Sequence, residues 1–188
     1  METILAFDLG ILHAIQEYLR CGFLDTIMPW ITNLGEAGAI WIVIALILVI
    51  RKPTRRWGIA MGIVLLAGLL LGEIGMKHLF QRIRPCNLPD AAVSMLISPP
   101  TSFSFPSGHT MSSFEAATVL FLMYPRWGKW AYALAATIAF SRMYLYVHFP
   151  TDVLTGGILG TLLAYVVVKL LQKKGWLKPY SPNSTSVS

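Results

Sequence analysis

Six residues of this chain have the types and spacing to do chemistry together: Lys77, Arg84, His109, Arg142, His148 and Asp152. Five are cations or can become cations, and one is a carboxylate, a set suited to holding a highly charged anion. Phosphate fits, because a guanidinium fork binds its oxygens in pairs while a lysine adds a compact point charge. The residues fall in two polar islands, 77–109 and 141–152, each interrupting an otherwise apolar sequence. Ionisable groups are expensive near a bilayer and tend to mark function there. The two islands are read as halves of one site.

Within them, roles can be assigned by type. Pro106-Ser107-Gly108-His109 opens a helix, where a glycine admits close approach and free N–H groups and the positive dipole end form an anion cradle. His148 and Asp152 are four residues apart at the start of a later helix, a spacing that brings carboxylate and imidazole together if Pro150 permits a helical turn. The carboxylate would fix the tautomer, which makes His148 the better nucleophile, giving a phosphohistidine. His109 has no carboxylate near it in sequence and is the better general acid for the leaving oxygen. Lys77, Arg84 and Arg142 can neutralise charge on the transferred group, and no Asp/Glu cluster suits a divalent ion, so neither metal nor cofactor is expected. Any one of these residues alone is commonplace in a membrane protein; their co-occurrence carries the reading.

The elements that must position them are membrane helices. The chain of 188 residues is 55% hydrophobic and 13% charged, with mean hydropathy +0.62, too apolar for a soluble domain of this size. The uncharged runs 37–50, 57–72, 116–124, 131–140 and 153–168 are each shorter than the roughly 20 residues that span a bilayer and reach that length with their polar-tipped flanks. Helices are expected over about 3–20, 23–50, 57–80, 107–124, 130–147 and 151–171, with a break near Pro29 and Asn33-Leu34-Gly35, a loop at 85–105 and a short helix at about 90–96. Asp8, His13, Gln16 and Glu17 leave open whether the first helix spans or lies on the surface. Gly58-xxx-Gly62, Gly68-xxx-Gly72 and Gly156-xxx-Gly160 are spacings for close helix packing within the bundle.

Net charge +6 and pI near 9.5 do not point to nucleic acid, since no basic stripe interleaved with aromatics is present. The basic clusters at 51–56, 126–129 and 173–178 instead obey the positive-inside rule. Six spans with both termini and the 173–188 tail in the cytoplasm would satisfy them and place the site on the outer face. Lys77, Arg82 and Arg84 then lie outside against that rule, which favours an anion-binding explanation. Glu73, four residues before Lys77, and Glu115 are read as structural partners, and Tyr144 and Tyr146 as interfacial belt residues. Cys21 and Cys86 are read as free thiols. No cleaved leader is expected, and the sequon at Asn183 carries no weight.

Lys77-x6-Arg84-Pro85, Pro106-Ser107-Gly108-His109 and Ser141-Arg142-x5-His148-x3-Asp152, in that order, resemble the three signature motifs of the type 2 phosphatidic acid phosphatase superfamily. The resemblance covers about residues 57–172. It implies an all-α, integral membrane six-helix bundle over residues 1–172 and metal-independent hydrolysis of a phosphate ester or anhydride on a lipid. It also implies phosphate binding by Lys77, Arg84, Arg142, Ser107 and the Gly108 amide, with His148 as nucleophile, Asp152 as its partner and His109 as acid. Undecaprenyl diphosphate ranks first as substrate on resemblance and topology together, with phosphatidylglycerophosphate, phosphatidate or a soluble phosphate as alternatives. An anion-selective transporter is the non-enzyme alternative. The partners expected are the bilayer and a phosphorylated lipid, and oligomeric state has no readable signal.

Overall fold

Prolines and glycines set the ends of the helices in this chain, and uninterrupted Leu-, Ile- and Ala-rich runs fill them. The computed structural model describes residues 2–89, 91, 93–178 and 180, and every regular element among these is helical. Helix α1 (Glu2–Ala14) runs on through a π-helical turn, Ile15–Leu19, and α2 spans Gly22–Leu34. After a 3₁₀ turn, α3 covers Ala39–Ile50. Helix α4 (Arg55–Gly68) continues through π-helical turns, Leu69–Met76, into α5 (Lys77–Phe80). Then follow α6 (Gly108–Met123), α7 (Pro125–Tyr144) and α8 (Pro150–Lys173).

The boundaries differ from expectation where a proline was read as a breaker. Pro125 and Pro150 sit in the first turns of α7 and α8, where the missing N–H would have no helical acceptor in any case, so α7 begins five residues before the expected Trp130. Pro29 lies inside α2 without ending it. The break falls instead at Ala37 and Gly38, both at positive φ (48° and 71°), and bends α2 against α3 by 45°. The expected short helix at 90–96 is absent among its described residues, Asp90 and Ala92 lying outside them; a 3₁₀ turn at Pro85–Asn87 is the regular structure in that loop. The sequon and the tail after Tyr180 also lie outside the described residues.

Helix α6 runs through the middle of the bundle, and glycine lets α8 reach it. A Cβ at Gly160 would stand 2.4 Å from the Met111 carbonyl oxygen, and one at Gly156 2.7 Å from that of Ser107. Gly58 likewise lets α4 approach α3 at Ala45 and Val49, whereas Gly62 meets nothing within 4 Å. The buried core between α3, α4, α6, α7 and α8 includes Trp41, whose indole donates to Ser113 Oγ at 2.9 Å. Leu154, Ile158, Leu162 and Val166 of α8 face outward, as a lipid-facing stripe would.

By length and composition α4–α5 and α8 can cross a membrane, and the bent pair α2–α3 is long and apolar enough for a third crossing if it forms one span. Helix α1 is not among them. It lies across one end of the bundle: Asp8 meets Thr151 at the start of α8, Leu12 packs with Tyr146 and Phe149, and Gln16 bonds the Tyr144 carbonyl at the end of α7. At the opposite end, Arg56 and Trp57 donate to the Trp176 and Lys178 carbonyls, so the residues just after α8 are packed rather than loose. The described amino- and carboxyl-terminal segments therefore lie at opposite ends, not on the same side as the charge clusters alone suggested. Polar residues along α1 find their partners in loops and helix starts, which a lengthwise span would not offer.

Gly160→Ala should lower the thermal midpoint of the detergent-solubilised protein, since overpacking at a close contact costs about 1–3 kcal/mol. Gly62→Ala, with open space and up to about 1 kcal/mol of helix propensity to gain, should leave the midpoint unchanged or raise it. Equal losses at both sites would contradict the packing described.

Candidate active site

Four parts of the chain converge on the end of the bundle crossed by α1. Helix α5 and the turn after it bring Lys77, Arg82 and Arg84; the start of α6 brings Ser107, Gly108 and His109; the end of α7 brings Arg142; and the α7–α8 corner brings His148 and Asp152. Lys77, Arg84, Gly108, His109, Arg142 and His148 line one cavity of about 930 Å³. Ser107 and Asp152 are fully buried behind it.

The cations are fixed by short bonds. Arg84, 3% exposed, donates to the Ser102 carbonyl (2.7 Å), Ser102 Oγ (3.0 Å), the Phe103 carbonyl (3.2 Å) and the Val147 carbonyl (2.8 Å). Lys77 donates to Ser102 Oγ (3.1 Å) and pairs with Glu73 (2.8 Å), so the expected Glu73–Lys77 pair is formed. Arg142 donates to Thr32 Oγ1 at 2.5 Å and leaves its Nε without a partner. Ser107 caps α6, its Oγ accepting from the Thr110 hydroxyl (2.9 Å) and amide (3.4 Å). The space above Gly108 is occupied by the Glu73 carboxylate, which a Cβ there would strike.

One contact determines the chemistry of His148. Arg84 Nη1 lies 2.9 Å from His148 Nε2, and since a guanidinium has no acceptor, Nε2 must be the acceptor. The ring proton is then on Nδ1, 3.5 Å from Asp152 Oδ2, within ion-pair reach and too long for a good hydrogen bond. The lone pair on Nε2 points to the cations. Asp152 is itself held by Ser104 Oγ (2.5 Å), the Phe149 amide (2.9 Å) and Arg82 (2.6 Å). Burial pulls the His148 imidazole down to about 3; Asp152 opposes this, and Arg84 and Arg142 add to it.

Sequence spacing missed part of the site. His109, given no carboxylate partner by sequence, lies 3.3 Å from Glu36 Oε2 at the α2–α3 bend. Asp8, Thr32, Ser102 and Ser104 were also unmarked, because their contacts cross 48 to 143 positions or lie in a loop with no periodicity. Arg82 was visible as a misplaced cation but its two carboxylate partners were not. Glu115 forms no ion pair among the described residues; it packs against Gly68. Tyr144 and Tyr146 are buried at 2% exposure rather than interfacial, bonded to Asp25 and His13. Cys21 and Cys86 are free thiols.

The model of the PAP2 superfamily matches residues 56–176, which contain the three motifs. The chain belongs to the PAP2 superfamily. The undecaprenyl-diphosphatase of Sulfolobus acidocaldarius is 30% identical over 172 residues, 90% of this chain and 81% of that protein. The crystal structure of Aquifex aeolicus LpxE superimposes with a TM-score of 0.76 at 26% identity, covering 87% of this chain and 95% of that one. That of a transmembrane PAP2-type phosphatidylglycerolphosphate phosphatase from Bacillus subtilis gives 0.73 at 29%, covering 96% and 90%. This PAP2 protein is a membrane phosphatase of the lipid-phosphatase kind.

With nitrogen-15 histidine spectra of the solubilised protein, His148 should remain neutral and carry its proton on Nδ1 from about pH 8 to pH 5, because a pKa near 3 leaves the imidazole uncharged throughout that range. A His148 titrating near the ordinary 6.5 would contradict the buried, arginine-bonded geometry.

Proposed function

We propose that this PAP2 protein hydrolyses a lipid phosphate without metal, through a phosphohistidine on His148. Nε2 of His148 attacks phosphorus as the P–O bond to the leaving group breaks, and His109 gives its proton to the leaving oxygen. Neutral His109 then takes a proton from water, which attacks phosphorus and breaks the P–N bond, returning His148 and releasing phosphate. Lys77, Arg84 and Arg142, with the Gly108 amide, meet the charge on the equatorial oxygens. Ser107 shapes this cradle as the cap of α6. Glu73 must leave its place above Gly108 for phosphate to enter. The observation that carries this reading is the Arg84–His148 bond, which leaves a histidine lone pair among three cations with a carboxylate behind the ring.

The lipid reading is supported by the shape of the same cavity. Away from the cations it continues as an apolar trough between α3 and α4, lined by Ile42, Leu46 and Val49 on one side and Ile59, Ile63 and Leu66 on the other. From Gly72 to Gly58 the trough follows α4 for about 20 Å at 1.5 Å per residue. A long single apolar chain fits such a trough. The basic residues 51–56 lie at the far end, which by the positive-inside rule supports a site on the outer face with the carboxyl-terminal end in the cytoplasm. Undecaprenyl diphosphate is therefore the first-ranked substrate, a reading that the similarity to the Sulfolobus undecaprenyl-diphosphatase supports. Phosphatidylglycerophosphate and phosphatidate are the alternatives, and phosphate release from a panel of the three decides among them.

His148→Ala should abolish both turnover and the covalent phosphoenzyme, whereas His109→Ala should lose about 10²–10⁴-fold on poor leaving groups and much less on good ones. Labelling retained without His148 would move the nucleophile elsewhere, and absence of any phosphoenzyme in the intact protein would remove the covalent step. Activity should persist in excess chelator; loss restored by one metal ion would overturn the metal-free scheme.

A further inference from the structure

Asp8 is fully buried, belongs to a helix outside the region the family model matches, and has no part in the scheme above. Its carboxylate accepts from the Thr151 amide (3.0 Å) and hydroxyl (2.6 Å) and from Arg82 Nη2 (2.7 Å). Arg82 turns its other nitrogen, Nη1, to Asp152 Oδ1 (2.6 Å) and Thr151 Oγ1 (2.7 Å), and its guanidinium lies 4.0 Å over the Phe149 ring. The result is a continuous alternation of charge and proton donors, Asp8 to Arg82 to Asp152 to His148 to Arg84.

We infer that Asp8 and Arg82 are positioning residues for the nucleophile, holding the Asp152 carboxylate at the angle and charge that His148 needs. The inference rests on the reading of His148 as nucleophile and Asp152 as its partner. Three features favour it over a simple clamp for α1. Arg82 spends one arm of its planar fork on each carboxylate, a geometry a lysine cannot reproduce. Both carboxylates are fully buried, so each is an uncompensated charge if Arg82 is lost. And the oxygen of Asp152 that Arg82 holds is Oδ1, which leaves Oδ2 for Ser104, the Phe149 amide and the His148 ring. Arg82 thus determines which oxygen faces the imidazole. It also offsets part of the negative charge of Asp152, and Asp8 in turn offsets Arg82.

The test uses the full chain in detergent with farnesyl diphosphate as a soluble stand-in for a polyprenyl substrate, and reads kcat, KM and the single-turnover rate of phosphoenzyme formation. Asp8→Asn should lower kcat and the phosphoenzyme rate by about 10–100-fold, the usual cost of losing an outer-shell partner, with KM changed less than threefold because no phosphate contact is lost. Arg82→Lys, which keeps the charge and loses the fork, should do the same. Arg82→Gln should fall further, and adding Asp8→Asn to it should recover about tenfold, since the double variant removes a buried anion along with its cation. If Arg82→Gln does not fold, the double variant compared with Asp8→Asn and Arg82→Lys still gives the answer. Wild-type kcat in Asp8→Asn and Arg82→Lys, or a change confined to KM, overturns the inference while leaving the His148 scheme intact. A His148→Ala protein that still forms phosphoenzyme overturns the scheme itself, whatever the Asp8 variants do.

Discussion

The constraint on which the rest of the structure depends is charge compensation at one end of an apolar bundle. Lys77, Arg84 and Arg142 are each no more than 5% exposed, and a buried cation without a partner is costly enough to unfold its surroundings. Each solves this differently. Arg84 spends its donors on main-chain carbonyls, Ser102 and an imidazole; Lys77 takes a glutamate that shares its helix; Arg142 takes a hydroxyl from α2 and keeps an unpaired Nε. None is neutralised by a buried carboxylate of its own. In the proposed scheme the field they create together is left for a doubly charged ligand, and this unspent charge is what would make the cavity an anion site.

Carboxylates appear around that field in two kinds of place. Glu36 and Glu73 are on the accessible side, with side chains 71% and 36% exposed, and can give way. Asp8 and Asp152 are fully buried and cannot. The accessible pair meets Lys77 and His109, and the buried pair shares Arg82 behind His148. Under the proposed scheme such a division would let the front of the site exchange partners during turnover while the back keeps its geometry.

Much of this was legible in the sequence because the residues proposed to hold phosphate are carried at helix ends, where short-range spacing is meaningful. His148 and Asp152 are one helical turn apart, and Ser107 to His109 form a helix start, so both could be read locally. Lys77 and Arg84 were legible as cations in the wrong place. What spacing could not convey were contacts across the fold, such as Thr32 to Arg142, Glu36 to His109 and Asp8 to Arg82. Whether α1 spans or lies on the surface was left open by the sequence for a related reason. Hydropathy counts apolar residues in α1 but does not say that Asp8, His13 and Gln16 have partners in the α7–α8 corner. Tyr144 and Tyr146 were misread in the same way, since an aromatic near a helix end looks interfacial until something packs over it. That something is α1 together with the start of α2.

The position of α1 ties these observations together. It lies over the corner between α7 and α8 with Ile4, Leu5 and Phe7 turned outward, while Asp8 on its other face pairs with Arg82 beside Asp152. Such a helix would suit the interface, held from one side by lipid and from the other by protein. The trough between α3 and α4 leads to the same cations, so in the proposed scheme a lipid phosphate would reach His148 along it. In the proposed scheme phosphorus would lie between the His148 nitrogen and the three cations, and Glu36, 71% exposed beside His109, marks the side open to water. There the leaving oxygen would receive its proton. Under that scheme His109 would stand as acid for the first step beside the water of the second, as a single histidine serving both steps requires.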